Sequence, residues 1–145
     1  MAKILAPIDF SPVTQSVIER AVALAKAFEL ELVLMYVAQP HPSFMGCDLE
    51  KGRRWREVCL SEPGSEIVRY AEQADSAGAQ VSVVVQQGPV VESILEVAGA
   101  AGAEWIVLGS HGHGALYDLL VGSTVEGVMS VAQVPTVIVP RGGKS

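Results

Sequence analysis

The chain has 145 residues, half of them apolar, and only 18% charged, a composition that argues against a disordered chain and allows one domain with a real core. Sixteen acidic residues against ten basic ones give a formal charge of −6, which argues against a nucleic-acid backbone or an anionic membrane as a partner. Two cysteines, Cys47 and Cys59, make neither a disulfide framework nor a zinc pattern.

The first apolar run, Ile4–Ile8, is closed by Asp9 after five residues. It is too short for a signal-peptide core and no small-residue cleavage site follows, so the expected location is the cytoplasm. Ser11-Pro12 predicts a helix start, with the serine hydroxyl as cap and proline at the first helical position. Val17, Ala21, Leu24 or Ala25, and Phe28 then recur at helical spacing.

Leu32–Val37 is the second strand. Residues 38–62, with Pro40, Pro42 and a local "KGRR" at 51–54, read as a long excursion leading into the second helix. Ile67, Ala71 and Ala74 mark that helix, and Gly78 its end. Val81–Val85 is the third strand, and Gly88-Pro89 opens a helix carrying Val91, Ile94 or Leu95, and Ala98, closed by Gly102. Trp105–Leu108 and Thr136–Val139 complete the strands, with a last helix between them around Val125–Met129. The runs are continuous rather than alternating, as strands buried on both faces of a parallel sheet should be. The order predicts an α/β sandwich with a mostly parallel sheet. No apolar run approaches the roughly 18 residues needed to cross a bilayer.

In such a sheet, ligands gather beyond the carboxyl ends of the strands. Three places qualify: Pro7 to Ser11, Val37-Ala38, and the stretch "GSHGHGALYDLLVGST" at 109–124. Gly109 and Gly112 form one glycine corner beside the fourth strand. After nine intervening residues, Gly122-Ser123-Thr124 form a second at a helix start. Backbone N–H groups, two hydroxyls and the positive end of a helix would converge there on an anion, and a polyphosphate is the natural one. Asp9 could cap the first helix or contact the ligand. Other phosphate loops fit less well. No lysine follows Gly122, so this is not a Walker A loop, and "GGKS" at 142–145 leaves no room for the helix such a loop needs. Gly112-His113-Gly114 has Tyr117 where a dinucleotide loop needs its third glycine. There is no GxSxG elbow. His111 and His113 lack a third metal ligand in view and read as hydrogen-bonding loop residues, while Trp105 reads as core.

The spacing Gly109-x2-Gly112-x9-Gly122-Ser123, with the strand ending "ILAPIDFS", resembles the nucleotide-binding members of the universal stress protein family. "LVLMYV", "QQGPVVESI" and "VAQVPTVIVPR" extend the resemblance over nearly the whole length. It implies one domain over residues 1–145 with the adenine nucleotide alpha hydrolase-like fold: a five-stranded parallel sheet of order 3-2-1-4-5 with helices on both faces. It further implies that ATP or another adenine nucleotide is bound, with Mg2+ held through the phosphates. Pro7 and Asp9 would line the adenosine, Val37 would meet adenine through its backbone, and Gly109 would lie against the ribose. Gly112, Gly122, Ser123 and Thr124 would hold the phosphates. The family's habit of pairing along the last strand implies a homodimer through Thr136–Val139. His111 and His113 stand in a loop where many members carry Arg or Lys. No residue is assigned to catalysis and none to a resident metal. The expected role is a nucleotide-binding regulatory or stress-response module; the alternatives are a slow ATPase or nucleotidyl-transfer enzyme of the same sandwich class, and a nucleotide-free dimeric interaction protein.

Overall fold

A computed structural model describes residues 2–38, 47–49, 66–110 and 123–140. The elements in chain order are β1 (Lys3–Pro7), α1 (Thr14–Phe28), β2 (Glu31–Ala38), β3 (Cys47–Leu49), α2 (Glu66–Ser76), β4 (Gln80–Gln87), α3 (Val90–Ala101), β5 (Ala103–Gly109), α4 (Ser123–Val131) and β6 (Thr136–Val139). They build one sheet of order β3-β4-β2-β1-β5-β6. Five of the strands are parallel neighbours, in the order 3-2-1-4-5 when the parallel strands alone are numbered.

The sixth strand was not foreseen. Cys47–Leu49 lies inside the excursion and pairs antiparallel with β4, Cys47 opposite Val85 and Leu49 opposite Val83. Three residues are too few to show a period, which is why pattern reading passed over it.

Alternate strand residues feed two cores. Ile4 and Ala6 of β1, Leu32 and Leu34 of β2, Val83 of β4 and Val107 of β5 pack under α1 and α2. Leu5, Val33, Met35, Ile106 and Leu108 pack under α3 and α4 on the other face. This two-sided burial is what the continuous apolar runs encode.

Helix ends follow the glycine pattern at the carboxyl side. Gly102 takes the left-handed conformation with φ 67°, and its N–H is received by the last turn of α3. Gly78 has φ 102° just beyond α2. The amino ends differ from expectation. Pro89 is the cap of α3 rather than its first residue. Helix α1 starts at Thr14, its cap is Val13, and no side chain caps it. The Ser11 carbonyl, not its hydroxyl, receives the Thr14 N–H at 3.0 Å. Residues 11–14 therefore form a turn ahead of the helix, and Ser11 is not the cap.

Candidate functional site

The sheet order reverses between β1 and β5. The chain leaves β1 into α1 on one face and leaves β5 toward α4 on the other, so the carboxyl ends of the two strands open a crevice. A cavity of about 300 Å³ lies there. That is the lower end of the range for small-molecule sites.

The exit from β1 shapes one wall. The Ile8 N–H donates to the Met35 carbonyl at 2.7 Å, holding the chain one residue past the strand. Phe10 then adopts φ 63°, a left-handed conformation costly for a bulky residue. Its ring is fixed against Tyr36, with centroids 4.5 Å apart, and against Tyr70 at 6.0 Å. The reversed residue turns the chain so that the Asp9 carboxylate accepts the Ser11 N–H at 3.0 Å. Asp9 is thereby fixed at the mouth of the crevice, where it lines the cavity.

The opposite wall is the end of β5. Gly109 pairs with Val139, and the next N–H, of Ser110, donates to the Val139 carbonyl at 2.8 Å. A Cβ on Gly109 would come within 2.4 Å of Val13 Cγ1 and 3.4 Å of Val17 Cγ2. This glycine lets the start of α1 close over β5, a packing role separate from any ligand contact.

Of the residues singled out in the sequence, Pro7, Asp9, Val37, Gly109 and Thr124 line this one cavity. Ser123 is the first residue of α4. Gly112 and Gly122, with most of the glycine loop, lie outside the described residues. Ile8, within the stretch expected after the first strand, also lines the cavity, as do Val13, Thr14, Val17, Tyr36, Val90, Ile94 and Leu108, which lie outside the expected stretches. Val90 and Ile94 come from the start of α3, so three strand–helix junctions contribute. Apolar groups dominate the walls, and Asp9, Thr14, Tyr36 and Thr124 carry the polar ones.

Thr14 is the least expected of these. It is 1% exposed, and its Oγ1 has no hydrogen-bond partner; the buried Ser11 Oγ is in the same state. A buried hydroxyl without a partner costs on the order of 1–3 kcal/mol. A signal for it was present. Thr14 stands three and four residues before Val17 and Ile18, which places a hydroxyl on the buried stripe of α1.

Among the described residues no group of three or more His, Cys, Asp or Glu side chains could hold a metal ion. No helix among them is long and apolar enough to cross a membrane.

The model of the universal stress protein family matches residues 1–140. The universal stress protein MJ0531 of Methanocaldococcus jannaschii is 29% identical over 140 residues, 96% of this chain and 82% of that one. The solved structure of MJ0577 from the same organism superposes with a TM-score of 0.77 at 23% identity, covering 99% of this chain and 98% of that one. A universal stress protein solved in complex with cAMP superposes with a TM-score of 0.72 at 19% identity, covering 97% and 98%. The chain belongs to the universal stress protein family.

Proposed function

We propose that this member of the universal stress protein family binds an adenine nucleotide, ATP, ADP or AMP, in the crevice between β1 and β5, and acts as a regulatory module in a stress response rather than as a dedicated enzyme. The observation that carries this is the convergence of Pro7, Asp9, Val37, Gly109 and Thr124 on one cavity at the reversal of strand order. The cAMP complex of a structural relative is consistent with it.

The wall chemistry fits the ligand. Pro7, Ile8, Val37, Val90, Ile94 and Leu108 offer apolar surface to a planar base, while Asp9 and the hydroxyls offer hydrogen bonds to a sugar. Backbone groups at Val37 would read the base edge. The amino end of α4, with Ser123 and Thr124, would receive phosphate. Gly122 and Gly112 would let the loop backbone approach it, and Mg2+ would be carried on the phosphates. The 145 residues would act as one cytoplasmic domain, paired as a homodimer along β6, whose outer edge has no neighbouring strand among the described residues.

The test is direct. Protein purified under native conditions is denatured and the released small molecules are identified by mass; the apoprotein is then titrated calorimetrically with ATP, ADP, AMP and GTP. An adenine nucleotide in the released fraction, or adenine-selective binding on titration, supports the reading. An apoprotein that binds none of the four refutes it.

A further inference from the structure

We propose that the Thr14 hydroxyl is a specificity-determining group of this cavity, hydrogen-bonded to a ribose hydroxyl of the bound nucleoside. The inference rests on the adenine-nucleotide reading and names what one wall of the same site selects.

Three observations carry it. Thr14 lines the cavity, is 1% exposed, and its Oγ1 has no partner. A helical threonine usually turns its hydroxyl onto the carbonyl three or four residues back. Here the carbonyl three residues back, of Ser11, already receives the Thr14 N–H at 3.0 Å. Thr14 Oγ1 bonds neither to that carbonyl nor to any other group, so the ordinary internal solution is not used. The oxygen is tucked into the wall, and rotation about χ1 would turn it toward a ligand in the cavity that Thr14 lines.

The surroundings decide which part of the ligand that is. Thr14 follows Val13, which lies against Gly109 at the end of β5, and shares the cavity with the Asp9 carboxylate. A phosphate beside Asp9 would meet like charge. The base would leave the hydroxyl unpaired unless it presented a polar edge to α1, whereas Val37 on β2 is the group offered to that edge. A sugar diol suits both groups: one hydroxyl can donate to the Asp9 carboxylate, and another can donate to, or accept from, Thr14 Oγ1. The site would then discriminate against a nucleoside lacking that oxygen, because Thr14 would stay buried and unpaired.

The experiment titrates nucleotide-free protein with adenosine, 2′-deoxyadenosine and 3′-deoxyadenosine, using wild type, Thr14→Val and Thr14→Ser. Wild type should prefer adenosine over one deoxy analogue by roughly five- to tenfold, the worth of one hydrogen bond. Thr14→Val should lose that preference by weakening adenosine and the analogue that keeps the Thr14-facing hydroxyl while sparing the one that lacks it, and Thr14→Ser should keep the preference. Without ligand, Thr14→Val should melt higher than wild type, since a methyl replaces a partnerless hydroxyl. Wild type that binds all three nucleosides equally, or Thr14→Val that weakens all three equally or none, overturns the proposal while leaving the adenine reading intact. Wild type that binds no adenine nucleoside or nucleotide overturns both.

Discussion

Gly109→Ala puts one methyl group into the tightest approach at the crevice. The added Cβ would sit 2.4 Å from Val13 Cγ1, where carbon atoms normally rest about 3.5–4.0 Å apart, so one side must move by more than an ångström. Val13 is β-branched and 5% exposed, which leaves it no free rotamer to retreat into. The backbone of Gly109 is held on its other side by the pairing with Val139. Overpacking of this kind costs about 1–3 kcal/mol, and that loss should appear as a lower urea midpoint at unchanged slope. Val13→Ala alone removes two buried methyl groups and should also destabilise, by roughly 1–2 kcal/mol. The double variant Val13→Ala/Gly109→Ala should lose at least 0.5 kcal/mol less than the sum of the two, because the second change removes the atom the first one strikes. A Gly109→Ala protein as stable as wild type, or a strictly additive double variant, would refute the packing role. Nucleotide titration of the double variant then separates the two demands on this glycine. Recovered stability with lost binding would mean the ligand, too, needs the bare backbone.

Gly99 is the control for this reasoning, since a Cβ there meets nothing within 4 Å on an exposed helical site; Gly99→Ala should stabilise by roughly 0.5–1 kcal/mol in the same urea assay. Val137 is half-buried on the outermost strand, so Val137→Lys should turn a dimer into monomers by light scattering; a wild type already monomeric at micromolar concentration contradicts pairing along β6. Changing Ser123 and Thr124 together to alanine should weaken ATP more than adenosine in calorimetry, because phosphate is the group assigned to the start of α4. Equal losses for the two ligands would remove that assignment.

The parallel core was legible because buried strands in such a sheet are written as continuous apolar runs, and each of the five falls within two residues of its observed element. The crevice followed from the strand order that the family resemblance implies, since at its reversal the chain leaves β1 and β5 on opposite faces. What escaped notice had weaker writing. Cys47–Leu49 is held by its ladder to β4, a long-range pairing with no local signature. The Ser11-Pro12 signal was real chemistry in the wrong place: a turn preceded the helix, and the serine backbone was used where its hydroxyl was expected. Gly109 fits the ligand-glycine pattern and lines the cavity, but its tightest approach is to Val13, a contact between residues almost a hundred positions apart that no local pattern encodes.

The departures from regular structure are not scattered. Among the described residues two non-glycine residues have positive φ, Phe10 and Glu29. Glu29 is the ordinary left-handed cap ending α1. Phe10 is not a helix end, and it adjoins Asp9. The two buried side-chain oxygens without partners, Ser11 Oγ and Thr14 Oγ1, fall within the next four residues. Strain and unsatisfied polarity thus meet in residues 10–14, between β1 and α1, and nowhere else in the described chain in that combination. A junction selected for stability alone would place glycine at position 10 and apolar side chains at 11 and 14. Here the reversed Phe10 is held by its packing on Tyr36 and Tyr70, and its effect is to aim Asp9 and the turn that follows at the cavity. Such local costs persist where the surrounding structure over-determines them, and they concentrate at binding sites. The β1–α1 junction is therefore shaped as one half of the proposed site, and a bound nucleoside would offset its cost by giving the Thr14 hydroxyl a partner.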